Sequence, residues 1–385
     1  MVIGYIGAMA QKYWTVKILF PIGTLYPSQH GGPSNTIYWH AKALHKAGFE
    51  PICISTSLGV PAGSVPCDQW IESDYGKVRY TSEMFHSLPF RLIFHSLRHL
   101  PSSDVVHLTS LFYPPSFIVG LIAVLFGKEV VWSVRGNLES SAMENSPIRK
   151  HIILNAIKLV ESRITFHTTS DQETTNTKKY FGHKTKVVQI PNFLELPAVV
   201  AREDINPKYL LYLGRLHPIK GLNNLIQSLS NSREFLKSEA LLYIAGDDQN
   251  SYATQLKKQV ASLQLSQKVE FLGQIEGHEK QKLLANAFFL ILPSHTENFG
   301  NVVVEALAQG TPVLASKGTP WQELEEFKIG YWVENDAASL SLIIDQILKI
   351  ELEAYQKMRK RANKFVVQEY NIYNHIEKWV ELFKK

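Results

Sequence analysis

The chain has 385 residues, of which 45% are hydrophobic and 19% are charged. This composition is typical of a folded globular protein and excludes a disordered chain, and the length predicts two domains because one hydrophobic core rarely grows that large. The formal net charge is +5, with lysines and arginines scattered among acidic residues. This modest charge suits a small anion or an acidic membrane surface and gives no reason to expect a nucleic acid partner.

Two cysteines, Cys53 and Cys67, lack the CxxC spacing and are too few for a disulfide framework, which favours a reducing, cytoplasmic location. Gln11, Lys12 and a strand-like run stand where an export signal would have its cleavage site. The most apolar segment, 117–126, has about ten residues, against the roughly 20 needed to span a bilayer. A buried helix is therefore predicted there, and any membrane contact is expected to be peripheral, on the inner face.

The first half of the chain alternates short β-branched runs with longer amphipathic segments, a rhythm that predicts a parallel α/β fold. The first helix is predicted to begin near Ser34 or Asn35, both good N-caps, and to end near Gly48. The predicted strands of this half are residues 17–22, 51–55, 105–108, 130–134, 164–168 and 187–190.

The second half repeats the rhythm, with strands predicted at residues 209–213, 241–245, 269–272, 288–292 and 312–315. Between the halves, three prolines flank a stretch of weak periodicity that is typical of a linker. The predicted organisation is a first domain at 1–195, a hinge at 196–206, a second domain at 207–363 and a C-terminal segment at 364–385.

Two glutamates, Glu297 and Glu305, stand eight positions apart around the start of a predicted helix. Glu297 follows a buried strand, at the sheet edge where α/β proteins bind ligands, and Glu305 lies about one turn into the helix. Carboxylates there can accept bonds from sugar or ribose hydroxyls, while the free N–H groups of a helix start suit phosphate. Two such glutamates by themselves are more often a solvated loop acid and an acid favoured by the helix dipole.

A second pattern is the loop YLGRLHPIKGL at residues 212–222, in which Arg215 and Lys220 follow a strand and precede a helix. Two cations at a sheet edge can neutralise a departing diphosphate without a metal, although a lone pair is more often surface charge. A third pattern is the pair Gly31 and Gly32 after the first strand, where backbone can approach a phosphate closely. The spacing differs from GxGxxG, which counts against a dinucleotide cofactor.

The segment 293–316, PSHTENFGNVVVEALAQGTPVLAS, resembles the EX7E signature of retaining GT-B glycosyltransferases of the group 1 type (family 4). The loop with Arg215 and Lys220 resembles the same family's GR-x(4)-KG motif for the donor phosphates. ENFGN followed by GTPW at 318–321 is similar to a subgroup frequent among bacterial cell-surface polysaccharide enzymes. The resemblance implies two Rossmann-like domains that face a central cleft, with the C-terminal helix crossing back to the first domain.

By that resemblance Glu297 is expected to hold donor sugar hydroxyls and Glu305 the ribose, with Arg215 and Lys220 on the diphosphate. Gly31 and Gly32 are expected to face the diphosphate and border the acceptor. The expected donor contacts from the backbone of the ENFGN loop are Asn298, Phe299, Gly300 and Asn301.

His107 follows a strand at a place where the family often has a histidine near the donor sugar or acceptor, and the alternative is an ordinary strand-end histidine. Arg135, in WSVRGNLE, resembles the subgroup's SPRGxL stretch, with Val134 in place of the commoner proline. The family has a Gly-Asp turn beside the nucleotide where this chain has Gly246 in IAGDD. Asp247 and Asp248 do not form the metal-binding DxD motif, and no His/Cys cluster has metal spacing.

The predicted function is transfer of a hexosyl or N-acetylhexosaminyl unit from a nucleotide diphosphate sugar to a glycan or lipid-linked acceptor, with the anomeric configuration kept and no metal required. One alternative is a nucleotide-sugar epimerase on the same scaffold, which needs no acceptor. The other is a non-catalytic nucleotide-sugar-binding protein, against which the intact Glu297, Arg215, Lys220 and Glu305 argue.

Overall fold

The computed structural model describes residues 16–28, 32–144, 146–203 and 206–383. The chain forms two compact units. The first unit runs to Glu195 and takes up the chain again from Ile372, and the second comprises Leu196–Asn371. Among the described residues, no helix is both long and apolar enough to cross a membrane.

The first unit is built on an eight-stranded sheet of order β3-β4-β2-β1-β5-β6-β7-β8, in which only the β3–β4 pair is antiparallel. Its strands are β1 Lys17–Ile22, β2 Glu50–Thr56, β3 Trp70–Ser73, β4 Gly76–Thr81, β5 Val105–Thr109, β6 Glu129–Ser133, β7 Ile164–Thr168 and β8 Val187–Gln189. Its helices are α1 Gly32–Lys46, α2 Phe90–His99, α3 Pro114–Leu125, α4 Ser140–Glu144, α5 Pro147–Lys158 and α6 Asp171–Phe181.

The six predicted strands of this half are all present, whereas β3 and β4 were missed. β4 is a mixed polar strand, GKVRYT, and β3 is a four-residue edge strand, so neither carries a long apolar run. The first helix begins at Gly32, earlier than the predicted Ser34 or Asn35. The predicted buried helix at 117–126 is α3, but its end is open to solvent because Leu125 is 77% and Phe126 63% exposed.

The two faces of the first sheet are covered differently. Alternate strand residues such as Leu108 and Trp132 bury into one cluster with apolar side chains of α2, α3 and α5. On the opposite face, the C-terminal helix α15 (Ile372–Phe383, numbered in chain order) packs against α1, and its Trp379 is fully buried.

The second unit is built on a fully parallel six-stranded sheet of order β11-β10-β9-β12-β13-β14. Its strands are β9 Tyr209–Leu213, β10 Leu241–Ala245, β11 Val269–Gly273, β12 Phe289–Leu292, β13 Val313–Ser316 and β14 Gly330–Val333. Its helices are α7 Leu222–Asn231, α8 Arg233–Lys237, α9 Ser251–Ser262, α10 Gly277–Asn286, α11 Asn301–Ala308, α12 Glu323–Glu326, α13 Ala337–Leu348 and α14 Leu352–Glu369. The five predicted strands are present, and the short edge strand β14 was missed.

The segment predicted as a linker is hydrogen-bonded to the second unit. The Val200 N–H donates to Oε1 of Gln309 at 2.8 Å, and the Gln309 amide donates to the Ala198 carbonyl at 2.9 Å. Arg202 donates to the Ala287 carbonyl at 3.0 Å. The weak periodicity of this stretch therefore reflects an extended strap whose partners are distant in sequence, and a hinge function stays a prediction.

Toward the C-terminus, α14 belongs to the second unit and α15 belongs to the first. The return to the first unit thus begins at Ile372, eight residues after the start of the predicted segment 364–385. Ile372 donates its N–H to the Leu194 carbonyl at 2.9 Å, and Tyr373 donates its hydroxyl to Glu195 at 2.9 Å. The two places where the chain passes between units are therefore bonded to each other.

Candidate functional site

The loop after β9 is fixed by a close backbone approach. It forms a single 3₁₀ turn at Pro218–Lys220, and Gly221 follows with a left-handed φ of +67°. A Cβ on Gly221 would lie 2.0 Å from the Pro293 carbonyl oxygen, which only glycine avoids. This contact holds the β9 loop against the end of β12 and places Lys220 at the carboxyl edge of the sheet.

Lys220 and Glu297 form an ion pair at this edge, and each side chain is 17% exposed. Two backbone hydrogen bonds position the Glu297 loop: His295 donates to the Ile219 carbonyl and Glu297 to the Gly318 carbonyl, both at 2.8 Å. The structure thus brings together a cation and a carboxylate that lie 77 positions apart in the chain.

The ENFG loop leads into α11 through Gly300, which has a left-handed φ of +82° and caps the helix. Phe299 is 5% exposed, and its carbonyl accepts a hydrogen bond from the indole N–H of the fully buried Trp321. The GTPW segment therefore helps to hold this loop in place through the Trp321 hydrogen bond. Asn298 and Asn301 flank the same turn, so the donor contacts predicted from this motif are contiguous in space.

Glu305 lies in α11 and is paired with Lys280 of α10, with 2.6 Å between Nζ and Oε1. The Glu305 side chain is 9% exposed and that of Lys280 is 19% exposed. No motif marks Lys280, and only the packing of two neighbouring helices reveals it. Lys280 is thus a residue of this site that the sequence analysis missed.

Arg215 is exposed and makes no ion pair among the described residues. It lines a cavity of about 390 Å³ together with His217, Asp247, Asn250 and Tyr252. The structure therefore does not join Arg215 to the Lys220–Glu297 pair directly and places it in the lining of a neighbouring cavity.

Gly246 sets the position of this cavity, because a Cβ there would lie 2.0 Å from the Gly214 carbonyl oxygen. The close approach draws the loops after β9 and β10 together. Asp248, two residues on, is paired with Lys257 at 2.6 Å. In the part of the chain that the structure describes, no three His, Cys, Asp or Glu side chains are grouped so that they could hold a metal ion.

Among the described residues of the first unit, three histidines are buried, which we call the histidine cluster: His40, His107 and His167. His107 is 1% exposed, and its Nε2 is hydrogen-bonded to the Ser133 hydroxyl at 2.8 Å. Ser133 in turn bonds His167 at 2.7 Å, and the Trp379 ring lies 5.5 Å from that of His107.

Burial lowers the pKa of all three cluster imidazoles, that of His167 to about 3. Side chains alternate between the two faces of a strand, and Leu108 points into the cluster on the α2, α3 and α5 side. His107 therefore lies on the opposite face, which α15 covers with Trp379. This position favours the alternative of an ordinary strand histidine over a group that touches substrate.

Arg135 follows β6 in the first unit and has a left-handed φ of +55°. One guanidinium nitrogen donates to Oδ1 of Asn192, while Nε and the other terminal nitrogen are buried and have no hydrogen-bond partner in the described part of the chain. Burial lowers the pKa of this guanidinium to about 10. Its donor-binding role stays a prediction, as does that of Gly32, the first residue of α1. Gly31 lies outside the described residues.

Comparison with known proteins finds a family match within the second unit. Residues 199–365 match the profile of the family described as glycosyl transferases group 1. An uncharacterised glycosyltransferase of Methanocaldococcus jannaschii is 32% identical over 180 residues, which cover 46% of this chain and 45% of that protein. The O-antigen chain mannosyltransferase of Salmonella typhimurium is 30% identical over 139 residues, covering 36% and 38%. The chain thus spans less than half the length of these curated relatives.

The whole fold has a close structural counterpart. The crystal structure of Anabaena HepE in complex with UDP-glucose matches with a TM-score of 0.76 at 19% identity, covering 95% of this chain and 99% of that one. This likeness confirms the predicted α/β fold with two Rossmann-like domains. The family match confirms the resemblance that the sequence motifs predicted for residues 199–365.

Proposed function

We propose that this chain, a group 1 glycosyltransferase by its residues 199–365, transfers a hexosyl or N-acetylhexosaminyl unit from a nucleotide diphosphate sugar with retention at the anomeric carbon. The observation that carries the proposal is the Lys220–Glu297 ion pair beside the start of α11. A cation, a carboxylate and a helix N-terminus within one loop pair suit an anionic leaving group and a hydroxyl-bearing sugar.

The diphosphate is the part of the donor that Lys220 serves in this proposal. The start of α11 carries the positive end of the helix dipole, which favours a negatively charged phosphate there. When the donor binds, a phosphate oxygen replaces the Glu297 carboxylate as the ion-pair partner of Lys220. Glu297 is then free to accept hydrogen bonds from the sugar hydroxyls.

The ribose of the donor is assigned to Glu305. Its pairing with Lys280 holds the carboxylate in one orientation and leaves its second oxygen for a diol. Arg215, in the lining of the neighbouring cavity, is the second cation for the diphosphate. Together the two cations stabilise the departing phosphate, which itself helps take the acceptor proton in a front-face substitution.

The first experiment identifies the donor. A thermal-shift panel of UDP-, GDP- and ADP-sugars is expected to show stabilisation by one nucleotide class, since a ligand at one hundred times its Kd adds about 2.7 kcal/mol. UDP-glucose heads the panel because HepE binds it. The absence of any shift would contradict the proposed donor class.

The second experiment tests the role of the cations in place of a metal. Activity is expected to survive EDTA, and Arg215→Ala is expected to lower kcat on the order of 100-fold, as for loss of one preorganised charge-stabilising donor. Arg233→Ala, an exposed arginine of the same unit, is the control and should change nothing. Strict Mg²⁺ dependence would refute this assignment.

The acceptor is a glycan or a lipid-linked saccharide in this proposal, with the protein in the cytoplasm and peripheral on the inner membrane face. The similarity to an O-antigen chain mannosyltransferase supports a role in cell-surface polysaccharide synthesis. Product analysis by NMR separates the outcomes: an α-linked product from an α-linked donor supports retention. An epimerised nucleotide sugar formed without acceptor would instead identify the alternative epimerase.

A further inference from the structure

Three helices of the first unit, α2, α3 and α5, form one continuous outer surface. Their inner sides, for example Leu92, Val119 and Ile157, bury into a single cluster on the same face of the sheet. α2 packs against α3, and Arg163 just after α5 donates a hydrogen bond to the Val124 carbonyl in α3. The outward sides of these helices therefore lie next to one another, and we call them the basic apolar face.

The basic apolar face exposes large hydrophobic side chains. Seven of the 17 exposed large hydrophobic residues in the described part of the chain lie on these helices or directly at their ends: Phe90, Phe94, Leu125, Phe126, Ile148, Ile152 and Leu159. Ile148 is 79% exposed and Leu159 is 88% exposed. An apolar groove of about 450 Å³ runs beside Ile148 and Ile152 on α5. Such a concentration marks an interaction surface.

Within the three helices the charge has one sign, although Glu83, Glu144 and Glu161 lie near their ends. The three helices contain five basic residues and no aspartate or glutamate. Arg98, Arg149 and Lys158 are exposed and make no ion pair among the described residues. Arg91 is paired with Asp68 at 3.0 Å, and Lys150 donates to the Ala142 carbonyl, so these two are partly engaged.

We propose that the basic apolar face binds an anionic lipid bilayer. Exposed aromatic and aliphatic side chains can enter the headgroup region while arginine and lysine ends meet the lipid phosphates. The three helices lie along the surface of the unit, as interfacial helices do. The absence of any acidic residue on them gives the charge complementarity that an anionic bilayer requires.

A second copy of the chain fits this face less well. A twofold contact would use the same patch on both copies. The basic patch with Arg98, Arg149 and Lys158 would then face an identical basic patch, and the three helices supply no carboxylate to pair with it. Repulsion between the basic residues of the two copies would be largest where their apolar side chains would have to come into contact. The observations therefore favour the bilayer.

Membrane binding rests on the proposed function, because a lipid-linked acceptor is located at a bilayer. The two can nevertheless fail separately. Vesicle binding needs neither donor nor acceptor, and donor binding needs no vesicle. The same protein preparation can therefore be assayed for both.

The experiment is flotation of the full chain with vesicles of phosphatidylcholine alone or with one third phosphatidylglycerol, at low and high salt. The protein is expected to float with the anionic vesicles at low salt and to be released by salt. Substituting Arg98→Gln, Arg149→Gln and Lys158→Gln together is expected to weaken partitioning on the order of 100-fold, since each basic residue near an anionic surface contributes roughly fivefold.

A matched control removes three exposed lysines of the second unit, Lys237→Gln, Lys258→Gln and Lys360→Gln, and should float like the unchanged protein. An equal loss in both triple variants, or no flotation of the unchanged protein, would overturn the proposal.

A double variant, Ile152→Ser with Leu159→Ser, tests the apolar part and should also float less, with donor-induced thermal shifts retained as proof of folding. If this variant changed the oligomeric state measured by light scattering and left flotation intact, the face would be a contact between copies instead.

Discussion

Replacing Gly221 by alanine tests how the β9 loop places Lys220. Gly221 has φ +67°, and an added Cβ would lie 2.0 Å from the Pro293 carbonyl oxygen and 2.6 Å from the Asn335 amide nitrogen. A left-handed residue costs alanine roughly 1–2 kcal/mol, partly offset by about 0.4–1 kcal/mol from the stiffer unfolded chain. Relieving the overlap requires a shift of about 1 Å and adds about 1–3 kcal/mol.

Gly273→Ala is the matched control in the same unit. Gly273 has φ +70°, and an added Cβ would meet nothing within 4 Å. Only the backbone cost applies there, so this variant is expected to lose about 1 kcal/mol of unfolding free energy. Gly221→Ala is expected to lose about 2–4 kcal/mol, because the overlap is added to the same backbone cost.

The two variants are compared by urea unfolding and by donor-induced thermal shift. Gly221→Ala moves the β9 loop away from Pro293 and thereby separates Lys220 from Glu297, so donor affinity and kcat should both fall, with losses up to about 100-fold for a displacement near 1 Å. Gly273→Ala should keep both. Equal destabilisation by the two substitutions, or full donor affinity in Gly221→Ala, would refute the reasoning.

Two further predictions concern buried charge. Lys280→Met is expected to destabilise the second unit by about 2–4 kcal/mol in urea unfolding, because Glu305 is left buried without its partner. Lys282→Met, whose pair with Glu203 is exposed, should leave stability nearly unchanged, and a similar loss in both variants would contradict the prediction. For the histidine cluster, whose pKa values lie below those of the unfolded chain, stability is full above pH 6.5 and is lost as the pH falls, in the case of His167 through its folded pKa of about 3. His167 should lower the unfolding free energy of the first unit by about 1 kcal/mol between pH 6.5 and 5.5, with His40 and His107 acting in the same direction, and a pH-independent value would contradict this.

The sequence alone predicted the fold class, which is confirmed, and marked the residues of the proposed donor site. Parallel strands buried on both faces read as continuous apolar runs, so the segments that became β1, β7, β9 and β10 were recognised with their observed bounds. The spacing of the glutamates in 293–316 and of the cations in 212–222 is local in the chain. Local motifs of this kind can be read without knowing what packs against them.

The tertiary structure alone decided which charges meet and which residues are covered. Lys280 reaches Glu305 because α10 and α11 are neighbours, and no motif links these two residues, which lie 25 positions apart in the chain. His107 has the residue type and strand-end position of a site histidine, yet α15, more than 260 positions away, covers its face of the sheet. The basic apolar face likewise arises only when three separate helices bury their inner sides in one cluster. Burial and pairing depend on long-range packing, and a sequence pattern reports only the periodicity of its own segment.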